Sequence, residues 1–170
     1  ALLDAMMQLN TNPSNTYLVG GVDEISPFHY NIETLAGSYK KEDISNKYLY
    51  ETDSPGCVVG EGAAMFVVNT EAASSIAKVA AISTIHSTDI ELLKQQLNLF
   101  LQKNIPAGEN VDLFLSGENG DNRTLPFYTA CETLLADDTA VVRYKHMVGD
   151  YATVSAPGLW YACEFLQQPV

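Results

Sequence analysis

Residues 54–68 read SPGCVVGEGAAMFVV, and this apolar run organises the rest of the chain around it. A proline–glycine turn precedes it, and its Val, Phe and Met residues are typical of a buried strand. Gly60 and Gly62 interrupt the run, so the sequence predicts a strand pair or a bulged strand over 57–69. Taken alone, the glycines favour close backbone approach over a nucleotide-binding loop. The GxGxxG spacing fails because its third glycine position is Met65.

Strands and helices alternate on both sides of this run. We expect strands at 16–19, 77–86, 111–115 and 140–143, and helices from residue 1 to about 9, over 90–101, 128–135 and 155–166. Gly20-Gly21 is expected to close the first strand, and residues 22–53 are expected to form a loop region with short helices. This alternation predicts an α/β layered fold.

Composition excludes several classes of protein. The chain has 170 residues and a net charge of −12, with 9 Lys plus Arg against 21 Asp plus Glu. Nucleic acid is therefore not an expected partner, because phosphate binding needs a cationic face. No apolar run reaches the length of a membrane span. The three cysteines, Cys57, Cys131 and Cys163, are too far apart to indicate a metal site or a disulfide framework, and they favour a reducing, cytoplasmic compartment.

Both ends of the sequence look cut. The chain opens at Ala1 inside an apolar helical pattern with no capping residue before it, and it stops soon after the last predicted helix. We therefore expect residues 1–170 to form a single segment of a larger fold, truncated at both ends.

Four segments, taken in order, resemble one family. LVGGVDE at 18–24 is similar to the motif AGG(A/T)E, and residues 54–68 are similar to DGFVxGEGAGxxVLE. VDLFLSG at 111–117 matches a strand that runs into HGTGT. YKHMVGDYA at 144–152 is similar to xKSxxGHxxGAAG. These are motifs of the β-ketoacyl synthases of the thiolase-like superfamily. The resemblance implies a thiolase-like layered fold (α-β-α-β-α), of which this chain would be a partial copy.

The resemblance also carries site residues onto this chain. The family's nucleophilic cysteine falls a few residues before Ala1. Its two histidines fall on Ser116 and Asp150, which makes the standard site inactive by resemblance, and its lysine is Lys145. The substrate tunnel would be lined by Cys57, where the family has phenylalanine, and by Gly60, Glu61 and Gly62. No metal or resident cofactor is implied, and the substrate would be bound through phosphopantetheine on an acyl carrier protein.

These departures resemble the chain-length factors, which are noncatalytic partners of an active synthase. We therefore expect a β-ketoacyl synthase-like protein of fatty acid or polyketide biosynthesis that is noncatalytic or determines chain length. Its expected partners are acyl carrier protein and, in a homodimer or heterodimer, a second ketoacyl synthase subunit.

Two alternatives stay open. One is an active condensing or acyl-transfer enzyme using Ser116, Asn119, Lys145 or Asp150, with its nucleophile upstream of residue 1. The other is a structural dimerisation scaffold.

Overall fold

The computed structural model describes residues 1–167, which form a mixed α/β fold with six helices and two small sheets. The elements are α1 (Leu2–Thr11), β1 (Tyr17–Asp23), α2 (Pro27–Ala36), β2 (Gly62–Val68), α3 (Ile90–Asn104), β3 (Leu113–Ser116), α4 (Leu125–Glu132), β4 (Ala140–Arg143), α5 (Lys145–Val148) and α6 (Ser155–Gln167). Short 3-10 turns lie at Asn46–Tyr48 and Ala72–Ser74. The predicted α/β class is confirmed at this level.

The first sheet pairs β1 with β2 in antiparallel register, from Tyr17 opposite Val68 to Asp23 opposite Gly62. Helix α1 packs against β1, and α6 packs against β2. The prediction that Gly20-Gly21 close the first strand is wrong, because β1 runs through both glycines. They are needed for close packing, since a Cβ on Gly21 would lie 2.4 Å from the Cβ of Thr153.

The second sheet pairs β3 with β4 in parallel, with Ser116 opposite Arg143 at its carboxyl end. Helices α3 and α4 pack against each other. Helix α3 begins where the sequence predicts, because the Asp89 carboxylate accepts hydrogen bonds from the amides of Glu91 and Leu92, at 3.0 and 3.1 Å. Helix α4 begins three residues earlier than predicted, with a proline in its first turn.

The predicted strand at 77–86 is wrong, because these residues have no regular secondary structure. Half-buried residues alternate with exposed ones at 77–81, as the sequence pattern suggests. A strand also needs a hydrogen-bonding neighbour, and no described backbone group pairs with this segment.

The predicted strand pair or bulged strand at 57–69 is likewise partly wrong. Its ladder starts only at Gly62, and Cys57 and Val59 make isolated parallel bridges to Tyr39 and Asp150.

The apolar core is small. Among the described residues the buried apolar set is Ala5, Leu9, Leu49, Cys57, Tyr144 and Val154. The chain exposes 11369 Å², against about 8,200 Å² expected for a compact monomer of this mass. Much apolar surface therefore faces solvent. Within residues 1–167, no helix has the length and apolar character that crossing a bilayer requires.

Candidate functional site

The Asp150 carboxylate is the centre of the candidate site. One oxygen, Oδ1, accepts a hydrogen bond from Lys145 Nζ at 2.7 Å, and the other, Oδ2, accepts one from Asn119 Nδ2 at 2.8 Å. Lys145 begins α5 and is buried, and Asn119 lies in the loop after β3. The chain thus folds so that the carboxylate is held from two sides by a cation and an amide.

The backbone of Asp150 is also held by hydrogen bonds, on both its amide and its carbonyl. Its amide donates to the Val58 carbonyl at 2.8 Å, and its carbonyl accepts from the Gly60 amide at 3.2 Å. A Cβ on Gly60 would lie 2.0 Å from the carbonyl oxygen of Val148, and Gly149 has a φ of 76°. Glycine at these two positions therefore lets the segments approach, which agrees with the close-approach interpretation of the GEGA stretch.

Cys57 lies next to this carboxylate and is buried. Its Sγ donates to the Ser38 carbonyl at 3.2 Å. Burial, and secondly the negative charge of Asp150, raise the pKa of the Cys57 thiol to about 12. The sulfur therefore stays protonated at neutral pH and is a poor nucleophile.

Ser116, at the end of β3, is only 1% exposed. Its Oγ accepts a long hydrogen bond of 3.4 Å from the Glu118 amide. Beyond it, Arg143 forms ion pairs with Glu118 and with Glu132, the latter at 2.8 Å. Ser116 is thus a buried structural hydroxyl beneath a charged cluster, out of reach of solvent.

A further ion pair, between Arg123 and Asp121, lies next to Asn119, whose Oδ1 accepts a hydrogen bond from the Asp121 amide at 3.1 Å. Arg123 Nε donates to Asp121 Oδ1 at 2.9 Å, and Arg123 Nη2 donates to the Gly37 carbonyl at 2.9 Å. The hydrogen bond from Arg123 lowers the pKa of the Asp121 carboxyl to about 2. This pair joins the loop after β3 to the end of α2.

An open cleft of about 590 Å³ lies over these groups. Cys57, Gly60, Asn119 and Asp150 contribute to its wall, together with residues of α2, the carboxyl end of β1 and the segment after Asp150. Its wall carries five carboxylates, from Asp23, Glu24, Glu33, Asp121 and Asp150.

The sequence-predicted residues separate into two groups. Cys57, Gly60 and Asp150 line the cleft, whereas Lys145 and Ser116 lie behind it. Glu61 and Gly62 also lie outside the lining. The Glu61 carboxylate accepts from the Ile25 amide at 3.0 Å, and Gly62 begins β2 with the Tyr151 hydroxyl against it.

Sequence reasoning missed the two ion clusters, one built on Arg143 and the other on Arg123. The signal for the first was present, because Arg143 ends one strand and Glu118 follows another, and the carboxyl ends of parallel strands lie at one sheet edge. Within the described residues, no group of three or more His, Cys, Asp or Glu side chains is placed to hold a metal ion.

Comparison of the chain with protein-family models, with curated proteins and with solved structures found no match.

Proposed function

We propose that this chain is a noncatalytic β-ketoacyl synthase-like subunit that works beside an active synthase. The observation that carries the proposal is the Lys145–Asp150 ion pair, with its 2.7 Å contact, at the two positions that the resemblance assigns to the family's lysine and second histidine. The proposal includes a thiolase-like layering, a cytoplasmic location and acyl carrier protein as a partner, all by resemblance.

The electrostatics of the pair oppose condensation. An enolate needs hydrogen-bond donors or positive charge where its oxygen develops. The Asp150 carboxylate accepts hydrogen bonds only, and it neutralises the Lys145 ammonium that it contacts. Each lost oxyanion donor costs roughly 10²–10³-fold in rate, so replacing both histidines leaves little condensing activity.

The two nucleophile candidates nearest the Lys145–Asp150 pair, Cys57 and Ser116, are not activated. Cys57 has a thiol pKa of about 12, and Ser116 is buried with no base in hydrogen-bond contact. A nucleophilic cysteine or serine needs a lowered pKa or an adjacent base. The chain-length part of the proposal rests on the resemblance alone, because a cleft wall with five carboxylates is poorly suited to an alkyl chain.

The test is a decarboxylation assay on the full-length protein. The chain alone, given malonyl-acyl carrier protein with a labelled carboxyl group, is expected to release no labelled carbon dioxide above the protein-free rate. Mixed with an active β-ketoacyl synthase from the same organism, it is expected to co-elute with that synthase in size-exclusion chromatography and to change its product length.

Lys145→Ala is the diagnostic variant. For a noncatalytic subunit this substitution, in a variant that circular dichroism shows to be folded, leaves the condensation rate of the mixture unchanged. Turnover by the chain alone that Lys145→Ala abolishes would show an active enzyme instead. Self-association with no co-elution and no change in product would favour the dimerisation scaffold.

A further inference from the structure

Hydrogen bonds fix which way the side-chain amide of Asn119 points. Its Oδ1 accepts a hydrogen bond from the Asp121 backbone amide at 3.1 Å, and a backbone N–H can only donate. Its Nδ2 therefore faces the Asp150 carboxylate, where it donates to Oδ2 at 2.8 Å. The oxygen of this amide thus meets a donor, and its nitrogen meets an acceptor.

Lys145 contacts the same carboxylate through the other oxygen. Its Nζ donates to Asp150 Oδ1 at 2.7 Å, and its side chain is only 10% exposed. The Lys145 and Asn119 nitrogens are therefore separated by one carboxylate group and two hydrogen bonds, although α4 and β4 lie between the two residues in the chain. The fold thus holds an amine and a carboxamide on either side of one base.

These groups are the parts of an acyl-transfer reaction. An amine attacks a carboxamide readily when a base takes its proton, when donors polarise the carbonyl oxygen and when the leaving nitrogen receives a proton. Asp150 contacts both nitrogens, so it can carry protons from one to the other. The Asp121 amide polarises Oδ1. The Thr124 hydroxyl, 3.2 Å from Oδ1 and 3.1 Å from the Asp121 carbonyl oxygen, can donate to Oδ1 as well.

We propose that Lys145 and Asn119 join in an intramolecular amide cross-link, with Asp150 as the base. Lys145 Nζ attacks Asn119 Cγ, the Nζ–Cγ bond forms and the Cγ–Nδ2 bond breaks. Two protons leave the lysine ammonium and reach Nδ2 through the Asp150 carboxylate. The nitrogen of the former amide then departs as ammonium, and the carboxylate is regenerated without any oxidant or further reactant. Asn119 and Asp150 line the open cleft, which gives the ammonium a route to solvent.

The reaction requires the lysine side chain to move, because Nζ must come within about 3.5 Å of Cγ. Rotation about the side-chain bonds of Lys145 can bring it there from one oxygen of the carboxylate to the other. The Lys145–Asp150 ion pair is the state before the reaction, so its energetics are those of the chain before cross-linking. The product would join the loop after β3 to α5. The proposal does not depend on the noncatalytic role and goes beyond it.

Other reactions of the same groups have different products. The backbone nitrogen of Gly120 could attack Asn119 Cγ to form a succinimide, which also releases one ammonia. Water from the cleft would hydrolyse the amide to aspartate. Lys40 is a second amine nearby, because its Nζ donates to the Gly120 carbonyl at 2.9 Å. Its other hydrogen bonds in the described part of the chain go to Ser54, so it lacks the contact with a carboxylate that Lys145 has.

Mass spectrometry of the purified full chain, kept folded at neutral pH for several days, tests the proposal. The intact protein is expected to become lighter by one ammonia. Trypsin is expected to release peptide 104–123 joined to a peptide that begins at Tyr144 and is uncut at Lys145. In guanidinium chloride the three side chains separate, so the joined peptide is not expected there, whereas a succinimide still forms.

Variants assign the roles of the groups. Lys145→Arg keeps the positive charge and should abolish the joined peptide, whereas the matched Lys40→Arg should leave its yield unchanged. Asp150→Asn keeps the shape of the side chain but removes the base, and it should slow the reaction about 100-fold or more. Thr124→Val removes one donor to Oδ1 and should slow it about tenfold or more. Circular dichroism shows which variants are folded, and Thr124→Val supplies the test if Asp150→Asn is not.

Several results would overturn the proposal. The folded chain could keep its sequence mass, or it could show only the gain that accompanies hydrolysis of Asn119 to aspartate. Equal loss of ammonia from Lys145→Arg would show a succinimide at Asn119 instead of a cross-link. A joined peptide that forms equally in guanidinium chloride, or that no folded variant at positions 124 and 150 slows, would exclude a reaction organised by this site.

Discussion

Removing the Asp150 charge alone is expected to destabilise the fold more than removing both charges of the Lys145–Asp150 pair. Asp150→Asn keeps the shape of the side chain and leaves the Lys145 ammonium, which is 10% exposed, without its counter-ion. We expect a loss of about 3 kcal/mol, because an uncompensated charge is left buried. Lys145→Met leaves a carboxylate that is 20% exposed and still bonded to Asn119, so its cost is lower, at about 2 kcal/mol.

The double variant separates the interaction between the two side chains from the interactions that each of them makes with its surroundings. With both charges gone, we expect a total cost of about 2 kcal/mol, which corresponds to a coupling energy of about 3 kcal/mol between the two positions. Urea unfolding followed by circular dichroism measures all four proteins. The Glu91–Lys94 pair of α3, which is more exposed and has a 3.7 Å contact, is the control, and its coupling should be below about 0.5 kcal/mol. Equal coupling in the two pairs, or additive costs at 145 and 150, would refute the buried-pair reasoning.

Three further predictions concern groups around the site. Alkylation of Cys57 by iodoacetamide at pH 8, followed by peptide mass spectrometry, should be roughly 10³-fold slower than that of free cysteine, because a thiol pKa of about 12 leaves little thiolate. A rate close to that of free cysteine would contradict the burial argument. The Asp121 carboxyl, with its pKa lowered to about 2, should contribute stability above pH 4 that is lost as the pH falls toward 2. Arg123→Gln should therefore move the midpoint of acid unfolding to higher pH, and an unchanged midpoint would count against this linkage. Gly60→Ala should cost about 3 kcal/mol in urea unfolding, because its Cβ would meet the Val148 carbonyl oxygen, and a cost near zero would show that the backbone yields there.

The sequence predicted most helices and the strands of the second sheet, because local signals dominate there. The Asp89 cap and the leucine spacing locate α3, and the β-branched run locates β4. The strand at 77–86 was wrong for the opposite reason. Its composition suits a strand, but a strand exists only where another segment completes its hydrogen bonds, and that depends on the fold as a whole.

The candidate site was only partly predictable. The resemblance pointed to Ser116, Lys145 and Asp150, but it could not tell that Asp150 would be bonded to Asn119 or that Ser116 would be sealed from solvent. Both outcomes depend on packing between distant segments.

The contacts of Asp150 bear on the order in which the chain folds. Its partners lie near residues 58–60, at 119 and at 145, so two of the three come from far away in sequence. Loops of that length close late, after local helices have formed, because closing them costs conformational entropy before the contacts between their ends stabilise the chain. The site therefore arises only when the two sheets have come together. A partly folded chain, even one with all six helices in place, would have only the local Lys145–Asp150 contact and neither of the other two.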